Sequence, residues 1–134
     1  MTQHRPLGAI ASYHAHVYFE PAARDAAMAV REGVAERFAV RLGTVWDNAV
    51  GPHSRAMFQI AFGPEQFGSL VPWLMLNNCG LSILIHPNTD NPRRGHLIDA
   101  MWIGAPLSLD GEVLPEAAEA ELAGPPNTAP SVAP

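Results

Sequence analysis

The chain has 134 residues, of which 48% are hydrophobic and 16% charged, and this size and composition fit one globular domain. Its formal net charge is −5 and all of its cations are arginines without a basic stripe, which argues against nucleic-acid binding. A single cysteine, Cys79, excludes an intrachain disulfide and favours a cytoplasmic location, and the apolar stretch at residues 7–11 is too short for a signal peptide or membrane span.

The composition divides the chain into three segments. Residues 1–10 are an N-terminal extension, residues 11–109 are the folded domain, and residues 110–134 are an acidic tail rich in alanine and proline. The tail contains no arginine or lysine, and it carries Asp110, Glu112, Glu116, Glu119 and Glu121. Because large apolar residues are scarce there, we expect disorder after about Gly124.

The first half of the domain predicts a strand, a helix and two further strands. Residues 9–19 alternate in polarity and are rich in aromatic and β-branched residues, as in a half-buried strand. A helix is expected from Pro21 until Gly43 stops it. A short strand at residues 44–46, a turn-rich loop at 47–54 and a long strand at 56–62 follow.

The second half predicts one helical region and two strands. Pro64 begins the helix, and Pro72 is expected to kink it or to divide it with Ser69 as a new N-cap. Gly80 is the expected C-cap. A strand at residues 81–86, a polar loop at 87–95 and a last apolar strand at 96–103 complete the domain.

This order of elements, β-α-β-β-α-β with a trailing strand, is typical of a ferredoxin-like α+β sandwich. Its antiparallel sheet has the order 4-1-3-2, with both helices on one face. The residue sets that begin at Tyr13, Phe58 and Leu81 would then face the helices. The opposite face would carry His14, His16, Tyr18, Met57, Gln59, Leu84 and His86. We expect the last strand or a second subunit to cover this face, and hence a homodimer.

Histidines supply the candidate chemistry of the opposite face. Antiparallel pairing of the first and fourth strands brings His86 toward His14 and His16, and neutral imidazole is a common ligand of iron and zinc. On spacing alone, two solvated histidines are an equally good interpretation of the H-x-H pattern. His53 reaches the others only if its loop folds back or if a partner subunit contributes, and His96 is a candidate ligand, hydrogen-bond donor or general base.

Charged residues offer further candidates. Asp90 and Asp99 could each supply a carboxylate ligand, although aspartate in such loops more often serves a turn. Arg55, Arg93 and Arg94 could bind a substrate carboxylate with two parallel hydrogen bonds, although each is more often an ordinary surface charge. The chain has no phosphate-binding glycine loop, no C-x-x-C and no G-x-S-x-G, so nucleotide, zinc-ribbon and serine-hydrolase functions have no support.

Several motifs in order along the chain resemble those of the small DOPA 4,5-dioxygenase family. They are YHAHVYF (13–19), GPHSRAMFQIAF (51–62), VPWLMLN (71–77) and HPNT (86–89), followed by His96 and MWIG (101–104). The resemblance implies a dimeric ferredoxin-like fold. It also implies extradiol cleavage of a catechol such as L-DOPA by non-haem Fe(II) and O2.

The resemblance also implies roles for particular residues. The family-type histidines are His16, His53, His86 and His96. We hypothesise that His16, His53 and His86 bind the metal, and that His14 or His96 acts as acid and base. Tyr18, Arg55 and Arg93 are the expected substrate-binding residues. Fe(II) is the expected cofactor, zinc or another divalent metal could occupy the purified protein, and O2 is the co-substrate.

Two other functions fit the same residues. The first is a non-catalytic ferredoxin-like dimer that binds a metal or a small aromatic ligand, because a fold does not determine a function. The second is a different metal-dependent oxygenase that acts on a catechol other than DOPA. Metal content and oxygen consumption separate the first of these from a dioxygenase.

Overall fold

A computed structural model describes residues 3–134 and contains a five-stranded antiparallel sheet with three helices. The strands are β1 (Ser12–Tyr18), β2 (Arg41–Leu42), β3 (Met57–Phe62), β4 (Ile83–Asn88) and β5 (Met101–Ile103). The helices are α1 (Arg24–Arg37), α2 (Pro64–Asn77) and α3 (Pro92–Leu97). The sheet order is β2-β3-β1-β4-β5, so its first four strands have the predicted 4-1-3-2 arrangement and β5 extends the edge.

The main core lies between one face of the sheet and helices α1 and α2. Alternate residues of β1, β3 and β4 are buried there, as strand geometry requires: Ala15, Val17, Phe58, Ile60, Phe62, Ile83 and Ile85. The helices contribute Ala27, Val30, Val34, Leu70, Val71 and Leu74, at helical spacing. The predicted helix-facing side of the sheet is therefore confirmed.

The first helix and the second strand differ from their predicted positions. Helix α1 ends at Arg37 rather than at Gly43, because Phe38 is already extended (φ −129°, ψ 138°) and both Phe38 and Val40 are buried in the core. Strand β2 accordingly occupies Arg41–Leu42 instead of residues 44–46. Trp46 makes an isolated bridge to Met57.

The later elements also correct the predictions. Helix α2 is continuous through Pro72, so Ser69 is not a new N-cap. Helix α3 lies where a polar loop was expected, and the Asn91 side chain caps it by accepting a hydrogen bond from the Arg94 backbone N–H. Strand β5 has three residues and does not reach back to His96. No helix in residues 3–134 has the length and apolar character needed to cross a bilayer.

The face of the sheet opposite α1 and α2 is covered largely by loops of the same chain. Tyr18, Met57 and Leu84 form a second apolar cluster on this face. Strand β5 contributes Trp102, and the loops before β3 and after β5 contribute Val50, Leu107 and Leu109. We expected the last strand or a second subunit to cover this face, whereas loops of the same chain cover this cluster. The homodimer stays a prediction.

The acidic tail lies along the domain. It has one 3-10 turn (Gly111–Val113), and its remaining residues form neither helix nor strand. Near its end, the Asn127 side chain pairs with both backbone groups of Leu42, and the Thr128 hydroxyl donates to the Phe38 carbonyl. The predicted disorder after about Gly124 thus falls on residues that hydrogen-bond to the edge of the sheet.

Candidate metal centre

Strands β1 and β4 bring three histidines together on the face away from α1 and α2. His14 lies directly opposite His86 in the strand register, and His16 is the next residue of β1 on the same face. The ring centroids of His14 and His86 are 5.1 Å apart, and Nε2 of His16 is 3.0 Å from Nε2 of His86. The predicted convergence of these three imidazoles is present in the structure.

His53 joins the cluster because its loop folds back over the sheet. Its backbone N–H donates to the Val50 carbonyl, and the residue forms an isolated bridge with Leu109. Its ring centroid is 4.2 Å from that of His16, and Nδ1 is 2.6 Å from the Tyr18 hydroxyl. His53 therefore reaches the cluster within one subunit.

His96 reaches the cluster from helix α3. The preceding residue, Gly95, is buried against β4 so closely that a Cβ atom there would lie 2.8 Å from the Pro87 carbonyl oxygen. This approach puts the His96 ring centroid 3.7 Å from that of His86 and 6.0 Å from that of His16. The helix that carries His96 was missed in the sequence, although Asn91 and Pro92 are typical of a helix start.

Backbone carbonyls determine which nitrogen of two rings carries the proton. Nδ1 of His96 is 2.8 Å from the Pro92 oxygen, and Nδ1 of His86 is 3.2 Å from the Pro87 oxygen. A carbonyl only accepts hydrogen bonds, so both Nδ1 atoms donate and both Nε2 atoms keep a lone pair. It follows that His16 donates from Nε2 to His86, which leaves a lone pair on Nδ1 of His16.

Burial keeps all five clustered imidazoles neutral. Loss of water, with smaller contributions from neighbouring imidazoles, lowers the pKa of His14 and of His53 to about 4. The same causes lower the pKa of His16 and of His86 well below the usual range. Burial also lowers the pKa of His96, against the opposing effect of the Pro92 carbonyl. Neutral imidazole is the form that binds a metal.

The donor set fits a divalent metal ion. The ligand atoms of His14, His16 and His86 lie within 4.8 Å of one another, and so do those of His16, His53 and His96. Within residues 3–134, Nδ1 of His16 and Nε2 of His14 are buried without a hydrogen-bond partner. A metal would satisfy such lone pairs, and imidazole nitrogens suit iron or zinc. Of the three ligands predicted from the sequence, His16 belongs to both groups, His86 to the first and His53 to the second.

A cavity of about 320 Å³ opens over the histidines. Its lining includes His14, His16, His53 and His96, whereas His86 is fully buried and does not line it. The remaining lining residues combine polar and apolar side chains: Pro52, Gln59, Asn88, Thr89, Pro92, Leu114, Ala118, Glu119 and Glu121. This volume suits a small organic ligand.

The other predicted site residues, Tyr18, Arg55 and Arg93, do not line the cavity. Tyr18 is buried beside His53, and burial raises the pKa of its phenol. Arg55 lies 3.7 Å from Glu20, and Arg93 donates to Glu116 and to the Leu114 carbonyl. Neither arginine lines the cavity.

The predicted carboxylates are also outside the cavity. Asp99 accepts two hydrogen bonds from Arg5, and Asp90 is not among the lining residues. The carboxylates that do line it, Glu119 and Glu121, belong to the acidic tail. The acidic composition of the tail is evident in the sequence, but no sequence pattern places these carboxylates at the site.

Comparison with known proteins agrees with this combination of an α+β sheet and a histidine-lined cavity. The model of the Dopa 4,5-dioxygenase family matches residues 13–113. The chain therefore belongs to the Dopa 4,5-dioxygenase family.

Two individual proteins are also similar in sequence to this chain. A protein of Amanita muscaria named DOPA 4,5-dioxygenase is 34% identical over an alignment of length 115, which covers 79% of this chain and 50% of that protein. An uncharacterized 21.2 kDa protein of Botryotinia fuckeliana is 42% identical over an alignment of length 80, which covers 53% of this chain and 43% of that protein. The chain thus spans about half the length of these curated relatives.

A solved structure shows the same fold. The crystal structure of a protein of Nostoc punctiforme, described there as a "putative dioxygenase", superimposes with a TM-score of 0.81 at 48% sequence identity. The match covers 82% of this chain and 96% of that one.

Proposed function

We propose that the protein is an extradiol ring-cleaving dioxygenase that acts on a catechol such as L-DOPA at an iron(II) ion. The observation that carries the proposal is the set of four neutral histidines, His14, His16, His53 and His96, around one ligand-sized cavity. Membership of the Dopa 4,5-dioxygenase family supports the reaction class. The name of the Amanita muscaria relative supports the substrate.

His16, His53 and His96 would hold the metal. All three line the cavity, so that a ligand can reach an ion held among them, and their ligand atoms lie within 4.8 Å of one another. His86 lies beneath the cavity and accepts a hydrogen bond from Nε2 of His16, which orients that ring. Compared with the sequence-based trio His16, His53 and His86, this assignment exchanges His86 for His96.

The chain's own residues would handle protons and orientation. Iron(II) held by these histidines would supply the redox centre that a reaction between triplet O2 and a singlet catechol requires. The His14 residue lines the cavity, and its buried Nε2 has no partner among residues 3–134, so this nitrogen can accept a phenolic proton and return it. The Tyr18 hydroxyl beside Nδ1 of His53 fixes the orientation of that ring.

The test is anaerobic loading with Fe(II), addition of L-DOPA, and measurement of oxygen uptake together with the visible absorbance of a ring-opened product. We expect uptake and a yellow chromophore in the native protein and in His4→Ala, whose residue is exposed outside the cluster. His16→Ala should lose both signals, because His16 belongs to both candidate ligand groups.

Absence of uptake with L-DOPA, caffeate and protocatechuate would overturn the proposal. Metal or catechol binding without uptake would instead favour a non-catalytic binding protein. A homodimer and a cytoplasmic location are further proposals, and sedimentation of the purified protein measures the first.

A further inference from the structure

A segment of the acidic tail, residues 114–121, covers the histidine-lined cavity and is here called the strap. Leu114, Ala118, Glu119 and Glu121 are all part of the cavity lining. The strap begins immediately after residue 113, where the match to the family ends. Its contribution to the cavity is therefore a feature of this chain that the family match does not describe.

Hydrogen bonds to helix α3 hold the beginning of the strap. The Arg93 guanidinium donates from Nη1 to the Glu116 carboxylate at 2.6 Å and from Nε to the Leu114 carbonyl at 3.0 Å. The Arg93 backbone N–H donates to the Pro115 carbonyl at 3.1 Å. One residue thus fixes the strap to the helix that carries His96.

Two further hydrogen bonds hold the end of the strap. The Ala118 backbone N–H donates to the Asp90 carbonyl at 2.9 Å, and the Ser12 hydroxyl donates to the Glu121 carbonyl. Ser12 is buried at the start of β1, the strand that carries His14 and His16. The Glu121 backbone is therefore fixed relative to the metal-binding side chains.

The Glu121 carboxylate faces a buried nitrogen that lacks a partner. Oε1 of Glu121 lies 3.7 Å from Nε2 of His14, which is beyond hydrogen-bond distance. His14 is 5% exposed, and its Nε2 has no hydrogen-bond partner within residues 3–134. A ligand in the cavity would meet both groups at this end.

The charged residues at the Glu121 end of the cavity are all negative. Glu119 and Glu121 both line the cavity, and no arginine of residues 3–134 does so. The nearby Arg93 is engaged by Glu116 and by the strap backbone. A cationic group in the cavity would be attracted by this field, and a carboxylate would be repelled.

The positions of His14 and His16 on β1 relate the Glu121 end of the cavity to the proposed metal site. His14 and His16 are two residues apart on β1, and their ring centroids are 5.7 Å apart. A catechol with its hydroxyls among His16, His53 and His96 has His14 beside it and can extend its ring substituent past His14 toward Glu121, whose Oε1 lies 3.7 Å from Nε2 of His14. A benzene ring with a short side chain spans a distance of this order.

We propose that Glu121, with Glu119 beside it, recognises a positively charged ring substituent, so that the preferred ligands are catechols that carry a primary ammonium group. An ammonium group has three donors and can reach the carboxylate and a neighbouring acceptor at once. The proposal rests on the proposed function, since it assumes that the catechol hydroxyls lie at the His16 end.

The test compares three catechols of similar size that differ in charge. Dopamine, 4-ethylcatechol and 3,4-dihydroxyphenylacetate are titrated without oxygen into the Fe(II)-loaded protein, and their dissociation constants are measured by calorimetry. We expect dopamine to bind about fivefold more tightly than 4-ethylcatechol, the effect of one ion pair at about 4 Å near water. The anionic ligand should bind most weakly.

Variants separate a local contact from the overall charge. Glu121→Gln should reduce the preference for dopamine to about twofold or less, and Glu119→Gln/Glu121→Gln should abolish it. Glu112→Gln removes the same charge from the same tail, but Glu112 does not line the cavity, so the preference should persist. An unchanged ratio in Glu121→Gln, or an equal fall in Glu112→Gln, would overturn the proposal.

Oxygen uptake by the same samples distinguishes the two proposals. Ring cleavage of all three catechols without a charge preference in binding would overturn the role of Glu121 and leave the dioxygenase function intact. A Glu121-dependent preference without cleavage of any catechol would support charge recognition and overturn the dioxygenase. If none of the three catechols binds, the role of Glu121 is wrong.

Discussion

Nε2 of His16 lies 3.0 Å from Nε2 of His86, at the centre of five neutral imidazoles. Because Nδ1 of His86 donates to the Pro87 carbonyl, His86 accepts and His16 donates in this contact. His86 thereby fixes the tautomer of His16 and leaves a lone pair on Nδ1. A buried histidine pair of this kind resembles the hydrogen-bonded partners that orient metal ligands in proteins.

Substitutions of the two residues should therefore have unequal effects on metal binding. His16→Ala should abolish it, whereas His86→Ala should weaken it by about 10- to 100-fold, as expected for loss of an orienting partner. His86→Gln offers an amide oxygen to His16 and should retain more affinity than alanine. Metal content and competition with a chromophoric chelator provide the measurement. Loss as complete in His86→Ala as in His16→Ala would make His86 a direct ligand.

The free energy of unfolding of the metal-free protein should depend on pH, because folding buries the clustered histidines. The unfolded chain takes up protons on histidine as the pH falls through about 6.5. The folded protein does not, since burial lowers the pKa of His14 and of His53 to about 4. The unfolded state thus binds more protons between these values, and acid favours it.

We expect the full stability above about pH 6.5 and a progressive loss toward pH 4. Each such histidine contributes about 1.4 kcal/mol per pH unit within this window. Urea unfolding at pH 7, 6 and 5 in the presence of a chelator measures the free energy. His53→Gln should lower the slope by about one proton, and His4→Ala should leave it unchanged. A pH-independent free energy between pH 7 and 5 would contradict the prediction.

The alternation of strands explains how much of the site the sequence could predict. Side chains of a strand point to opposite faces with a period of two, so His14 and His16 share a face once the strand is recognised. The antiparallel order of the ferredoxin-like sheet then places His86 beside them. These three histidines and the helix-facing core could therefore be predicted without knowing the course of any loop.

Strand alternation could not place His53 and His96, because their positions depend on tertiary contacts. His53 depends on a loop held by Val50 and Leu109, and His96 depends on the close approach of Gly95 to β4. The tail has few large apolar residues, which is why the sequence favoured disorder after about Gly124. Individual hydrogen bonds from Arg93 and Ser12 fix the course of the strap, and no periodic pattern encodes such bonds.

Removal of the Arg93 side chain should release the strap without unfolding the domain. Arg93→Ala deletes two side-chain hydrogen bonds, one of them to a carboxylate, for a local loss of about 1–2 kcal/mol. Opening of the strap should then be about 5- to 30-fold more frequent. Protease Glu-C, with mass spectrometry of the fragments, measures cleavage after Glu116, Glu119 and Glu121.

Arg55→Ala is the matched control for this experiment. Arg55 is partly exposed and lies 3.7 Å from Glu20, so its loss should change neither the strap nor the rate of cleavage within it. Circular dichroism should show a folded domain in both variants. Equal cleavage rates in the Arg93→Ala and native proteins would show that the arginine does not hold the strap.

Gly95→Ala tests whether the approach of α3 to β4 positions His96. The new methyl group would lie 2.8 Å from the Pro87 carbonyl oxygen, a backbone atom that cannot rotate away, so the helix must move outward. We expect destabilisation by roughly 1–3 kcal/mol, typical of overpacking. Metal affinity should fall as well, because His96 moves with the helix while His16 stays on β1.

Gly68→Ala provides the control within another helix. Gly68 is exposed on α2 and a Cβ atom there meets nothing within 4 Å, so alanine should stabilise the protein by up to about 1 kcal/mol through helix propensity. Thermal unfolding with and without Fe(II) measures both variants. If Gly95→Ala lowers stability but leaves metal affinity at the native value, His96 is not a ligand, and the trio of His16, His53 and His86 becomes the better assignment.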